Sequence, residues 1–265
     1  VLTIIYSYYT KLNTLFLSII TLFESNINVK VSRTRIHKLF QYATINYEKN
    51  EEINDIKGSI EFQNVLYGNK QDPILNDVSF KIVPNTFNVI TGLTGSGKTG
   101  IFDLLLRYNR QHVGNILVDN KQISSYDSKQ ISKIISAVRK TPTFFNMSIH
   151  DNLSIFDSNF ENIVYMCKLF NIHDYIMALE SGYDTILLTD ATNINSDVKY
   201  VLAIIRVLLK RTKIMLFDET FDYLSKDLSI KVLDILKDLK QENTILVITK
   251  NKEIIGSNYV DNVIF

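Results

Sequence analysis

The chain has 265 residues, 46% of them apolar and 22% charged, an ordinary globular balance for one large α/β domain with an attached segment. Lys and Arg total 29 against 28 Asp and Glu, so the net charge is +1 and no basic footprint points to nucleic acid. The single cysteine, Cys167, excludes an internal disulfide, fits a reducing compartment, and reads as a small core residue in a helical pattern.

The first residue is Val, and Asn262 to Phe265 lie within an apolar run, so the sequence reads as a piece cut at both ends. Residues 1–25 are mostly apolar and approach bilayer-spanning length, with Ser7, Lys11, Thr14, Ser18, Thr21 and Ser25 recurring every three or four positions. Two readings fit that polar stripe: a helix inside a membrane bundle, or an amphipathic helix packed on a soluble domain. Lys30, Arg33, Arg35 and Lys38 follow at once. Basic residues on that side of an apolar stretch favour the membrane reading and put the rest of the chain in the cytoplasm. They also argue against a signal peptide, in which the basic residues come first. Helical spacing continues through Ile36, Leu39 and Phe40, and the polar stretch from Asn46 to Asp55 reads as a linker. The expected boundaries are therefore a helical segment over 1–45, a linker over 46–57 and a second domain over 58–265.

From Ser59 the pattern changes. Ile60, Phe62 and Val65, then Val78, Phe80 and Ile82, then Phe87 and Val89 predict short strands with alternating faces. Strands and helices interleave from there on, which predicts a layered α/β domain around a largely parallel sheet.

Phe87 to Thr91 predicts a strand, and Ile101 to Leu106 begins a helix. Between them lies Gly92-Leu93-Thr94-Gly95-Ser96-Gly97-Lys98-Thr99. Glycines at this spacing, between strand and helix, let backbone N–H groups turn inward around an anion, and the helix start adds positive potential. Lys98 is placed to reach the β- and γ-phosphates of a nucleotide, and the Thr99 hydroxyl to ligate Mg²⁺. A second apolar strand, Lys213 to Phe217, ends in Asp218 and Glu219. Carboxylates at a strand's carboxyl end face the ligand in a doubly wound sheet. Asp218 is placed to hold Mg²⁺ through water, and Glu219 to act as general base on the attacking water.

With these motifs in place, residues 58–265 resemble the P-loop nucleotide-binding domain of ABC transporters. The resemblance implies that Tyr67, in Val65-Leu66-Tyr67-Gly68 just before the first sheet strands, stacks on adenine. Gly182-Tyr183-Asp184-Thr185 is similar to the turn before the signature motif of exporters, and Ile204 to Leu209 to the helix after it. Residues 1–45 resemble the last transmembrane helix of an exporter and its cytoplasmic extension. The resemblance implies ATP and Mg²⁺ as cofactors, a second ABC subunit as partner in a homo- or heterodimer, and a cell membrane with the ATP-binding domain on its cytoplasmic side.

The departures from the family pattern are specific. The signature motif, usually L-S-G-G-Q, falls on Ile194-Asn195-Ser196-Asp197-Val198, without either glycine and with a negative charge at Asp197. Ser196 or Asp197 is expected to cap its own helix, which would repel rather than grip phosphate. The usual glutamine after the sheet strand falls on Lys140, the usual histidine on Lys250, and the aspartate after the second carboxylate on Ser225. Lysines bind phosphate as point charges and do not copy the geometry they replace. The expectation is an ABC-type ATPase that binds ATP and turns it over slowly, either as an exporter subunit or as the degenerate, regulatory half of a heterodimer. A soluble P-loop ATPase acting on DNA or the ribosome fits neither residues 1–45 nor the near-neutral charge. His37, His112, His150 and His173 show no metal-ligand spacing and read as surface or packing residues.

Overall fold

The computed structural model describes residues 2–43, 55–69 and 72–264. It divides into two compact units, 1–51 and 52–265. Of the linker expected at 46–57, residues 46–54 lie outside the described residues.

Among the described residues the first unit is one helix, α1, Leu2–Ala43. The membrane span expected in it does not appear: among the described residues no helix is long and apolar enough to cross a membrane. Length is not the obstacle in α1. Ser7, Thr10, Lys11, Thr14, Ser18 and Thr21 break its apolar stretch too often. Several of these polar groups are satisfied on the helix itself. Thr14 Oγ1 donates to the Lys11 carbonyl at 2.8 Å and Ser18 Oγ to the Thr14 carbonyl at 2.8 Å.

The second unit runs β1 (Ile60–Asn69), β2 (Asp72–Ile82), β3 (Phe87–Ile90), α2 (Lys98–Leu105), β4 (Val113–Val118), β5 (Lys121–Gln122), α3 (Ser128–Ile134) and β6 (Ile135–Val138). It continues through α4 (Ile149–Ser154), α5 (Phe160–Leu169), α6 (His173–Met177), α7 (Ser196–Leu209), β7 (Ile214–Asp218), α8 (Lys226–Leu239), β8 (Thr244–Ile248), α9 (Lys252–Ile255) and β9 (Asn262–Ile264). The strands form two sheets: an antiparallel one, β2-β1-β4-β5, and a parallel one, β6-β7-β8-β3-β9.

The hydrophobic pattern explains both. In β1, Ile60, Phe62 and Val65 are buried, and the ladder to β2 shifts register between Phe62 and Val65. That irregularity, with Asn64 at φ 49°, lets residues three apart face one core. The parallel strands β3, β7 and β8 are buried at every position, because helices or sheet cover both faces. Strict alternation therefore fails in β3. Asn88, between Phe87 and Val89, is as buried as they are, and its amide donates to the Thr86 hydroxyl at 2.9 Å while its oxygen accepts from Asn262 at 2.9 Å.

One apolar core lies between the two sheets around Phe62, Ile101, Phe102 and Leu216. The other packs Val89, Phe217 and Val247 against the helical side, including Val201 and Ile205 of α7. Cys167 sits in this second core, fully buried, as its helical spacing suggested. The order of the parallel strands sets the carboxyl ends of β6, β7, β8 and β3 side by side along one edge of the sheet.

Candidate functional site

The loop 92–99 joins β3 to α2 at that edge. Gly97 caps α2 in the left-handed conformation, φ 81°, and has no room for a side chain: an added Cβ would lie 2.3 Å from the Ile74 carbonyl oxygen. Glycine is thus required twice over, by backbone angle and by the close approach of β2. Lys98 is nearly buried and folds back over its own loop. Its Nζ donates to the carbonyls of Gly92 at 3.0 Å and Leu93 at 2.6 Å, and to Ser96 Oγ at 3.1 Å. Burial, and then the neighbouring Lys250, lower the Lys98 pKa.

The tip of β7 supplies the two carboxylates. Asp218 is fully buried, and Thr99 Oγ1 donates to its Oδ1 at 3.3 Å. Its Oδ2 is buried and meets no hydrogen-bond donor among the described residues. Burial raises its pKa. An orphaned buried carboxylate oxygen beside a threonine hydroxyl is a donor set that fits a hard divalent cation such as Mg²⁺.

Glu219 behaves oppositely. Its backbone is left-handed, φ 48°, rare for a residue with a side chain. A hydrogen bond from Glu219 N to the Ile248 carbonyl at 2.9 Å holds it there. The side chain then meets two cations: Oε2 lies 2.7 Å from Lys140 Nζ and Oε1 3.7 Å from Lys250 Nζ. The hydrogen bond with Lys140 is the main cause that lowers the Glu219 pKa. Lys250 also donates to Thr94 Oγ1 at 3.0 Å, tying the end of β8 to the glycine-rich loop.

Tyr67 lies within β1 rather than before the strands. Its ring covers Gly100 of α2 so closely that a Cβ there would come within 3.1 Å of a ring carbon. Asn109 donates to its hydroxyl. Tyr67, loop residues 94–99, Lys140 and Glu219 line one open pocket of about 320 Å³. Of the residues singled out in the sequence for holding ATP and Mg²⁺, Gly92, Leu93 and Asp218 do not line this pocket; the first two are hydrogen-bonded to Lys98, and Asp218 to Thr99.

The start of α7 differs from its expected form. The cap is Asn195, whose Oδ1 accepts from the Asp197 N–H at 2.8 Å, and neither Ser196 nor Asp197 caps. The reason is register: α7 begins at Ser196, so the residue before it holds the capping position. Asp197 turns outward and accepts from the Ser225 N–H at 3.2 Å. Tyr200 stacks on Tyr223, ring centroids 5.0 Å apart, and donates to the Lys140 carbonyl at 2.8 Å. Nothing in the local sequence announces these links between residues 23 to 60 positions apart in the chain.

The ABC transporter family profile matches residues 75–222. A Mycoplasma genitalium protein named as an ABC transporter ATP-binding protein is 30% identical over 220 residues, which cover 80% of this chain and 37% of the relative. The ATP-dependent lipid A-core flippase of Saccharophagus degradans is 32% identical over 216 residues, 79% of this chain and 37% of the relative. Among solved structures, a bacterial Atm1-family ABC exporter with ATP bound superposes at a TM-score of 0.72 with 23% identity, over 83% of this chain and 40% of that one. That likeness concerns the fold. The chain spans a little over a third of the length of these two curated relatives.

Proposed function

The chain belongs to the ABC transporter family, and on that premise we propose that it is the ATP-binding part of an exporter, with ATP held by Tyr67, Gly92, Leu93, Thr94, Gly95, Ser96, Gly97, Lys98 and Thr99. The observation that carries this is the convergence of Tyr67, the loop and the tip of β7 on one cleft. In this reading the Tyr67 ring stacks on adenine, and the loop N–H groups and the start of α2 take the phosphates. Lys98 leaves its loop carbonyls to contact the β- and γ-phosphates. Thr99 and Asp218 hold Mg²⁺, which when bound offsets phosphate charge. Glu219 orients water and accepts its proton.

Hydrolysis in this reading is slow, for a physical reason. Glu219 is engaged by two lysines and its pKa is lowered, which makes it a poor proton acceptor. The opposing subunit would fare no better from this chain's α7, because the N–H of Asp197 is already spent on Asn195 and the Asp197 charge repels phosphate. These two features also favour the second reading, a regulatory half of a heterodimer that binds ATP while its partner fires. Either assembly works beside a membrane domain, with this domain on the cytoplasmic side.

Steady-state ATPase activity of the purified transporter tests the reading. Glu219→Gln should change the low rate by less than about threefold, whereas Lys140→Gln with Lys250→His should raise it about tenfold or more, since a working general base supplies about 10²–10⁴. A large drop with Glu219→Gln would sink the slow-turnover idea.

A further inference from the structure

The sheet order places Lys140, at the end of β6, Asp218 and Glu219, at the end of β7, and Lys250, past the end of β8, in a row next to the loop that follows β3. Three ammonium groups thus converge where an anion would sit: Lys98, Lys140 and Lys250. They face two carboxylates, one of them, Asp218, wholly buried. Arg139, next to Lys140, is already paired with Asp103 at 2.6 Å. The pocket mouth therefore carries a surplus of positive charge from side chains alone.

The three lysines are not equivalent. Lys98 directs its three contacts to Gly92, Leu93 and Ser96 of its own loop. Lys140 makes one ion pair, to Glu219, and its side chain is 50% exposed. Lys250 touches Thr94 in the loop itself and stands 3.7 Å from Glu219, with its side chain 41% exposed. An ammonium has three donors, so both outer lysines retain capacity for an incoming oxyanion. They approach the pocket from β6 and β8, the strands on either side of β7, whose mutual position the parallel ladders fix.

We propose that this site binds its nucleotide triphosphate without a divalent cation, Lys140 and Lys250 supplying the positive charge that a metal ion would otherwise bring. The proposal rests on the reading of this pocket as the ATP site. Asp218 still offers a metal position, and Mg²⁺ binds there as an addition rather than as a condition for holding the nucleotide. Electrostatic capture of this kind weakens as salt is raised.

Equilibrium binding of radiolabelled ATP to the purified full chain, in excess Mg²⁺ and in excess EDTA, tests this. The expected result is a Kd that changes less than about tenfold between the two conditions, with Lys140→Met plus Lys250→Met losing tenfold or more in EDTA. Both side chains are partly exposed, so the fold should survive. Lys140→Arg with Lys250→Arg, which keeps the charge, should retain binding in EDTA and separates charge from folding. A wild-type loss of tenfold or more on removing Mg²⁺ overturns the proposal while leaving the ATP site intact. So does EDTA binding that the Met pair does not weaken, or that the Arg pair loses. Absence of binding in both conditions overturns the ATP-site reading and this proposal with it.

Discussion

The floor and the rim of the pocket are built in different ways. The floor is the loop 92–99 with Asp218 beneath it: contiguous sequence, a glycine with no room for Cβ, and a carboxylate buried against Thr99. The rim is Lys140, Glu219 and Lys250, brought together by strand order from positions far apart in the chain. Backbone geometry governs the floor, so few residue types can occupy it. Partly exposed side chains govern the rim, so it can change sign without disturbing the fold. Holding a nucleotide and turning it over are therefore separable in this architecture, and substitutions in the two regions should have different consequences.

The largest expected effect lies in the floor. Gly97→Ala puts a Cβ 2.3 Å from the Ile74 carbonyl oxygen and 2.7 Å from Leu75 Cδ2, at φ 81°. Backbone strain and overpacking together should cost about 3 kcal/mol and abolish ATP binding, as read by chemical denaturation and by ligand titration. A variant that folds and binds normally would mean the loop is pliable, and the contrast between floor and rim would collapse.

Asp218→Asn should act in the opposite direction on stability. A buried carboxylate with one unpartnered oxygen destabilises the folded chain, and the amide removes that charge. Without Mg²⁺ the variant should be more stable by about 1 kcal/mol, while Mg²⁺ should no longer raise its melting temperature. Thermal melts with and without MgCl₂ check both halves. A destabilised variant would show that Asp218 is held in place by a partner other than Thr99.

Asn195→Ala, at the start of α7 and outside the pocket lining, should cost about 1 kcal/mol through loss of the helix cap, leaving ATP affinity unchanged. Denaturant titration and nucleotide binding on the same sample separate the two. Any loss of affinity would place the start of α7 in this chain's own site rather than at the surface offered to a second subunit.

The sequence reveals these regions unequally, for the same physical reason. The loop 92–99 was readable because strand, glycines, lysine and helix follow one another, so local chemistry determines local shape. The parallel core was readable from Phe87, Ile214 and their neighbours through burial alone. Asn88 was not, because a buried amide in a central strand depends on Asn262 at the far end of the chain. Lys140 and Lys250 were visible as departures from a family pattern. That both close on Glu219 was not, since only the order β6-β7-β8 brings them together. Residues 1–25 are ambiguous in another way. Their apolar content approaches that of a membrane helix, yet with the recurring hydroxyls and Lys11 no helix among the described residues is long and apolar enough to cross a membrane.

Floor and rim meet at two adjacent carboxylates. Burial raises the pKa of Asp218, whereas the hydrogen bond with Lys140 leads in lowering that of Glu219. Neighbours in sequence thus titrate in opposite directions because one points into the core and the other toward two lysines. Linkage gives the signs. Glu219, with its folded pKa below 4.5, contributes stability above that value and loses it as pH falls through the folded pKa. Asp218, with its folded pKa above 3.8, imposes a cost that grows as pH rises through its folded pKa. Glu219→Gln should therefore lower stability at neutral pH by only a few tenths of a kcal/mol, because Lys140 is half exposed and the pair is screened. That difference should vanish in acid, as pH falls through the folded pKa of Glu219, whereas the advantage of Asp218→Asn should shrink as pH falls and not reverse. Melting temperatures of the two variants, followed from neutral pH to the lowest pH at which the chain stays folded, should converge on the wild type from opposite sides. Convergence from the same side would mean that one carboxylate has the other's environment, and the division between floor and rim would then not run between residues 218 and 219.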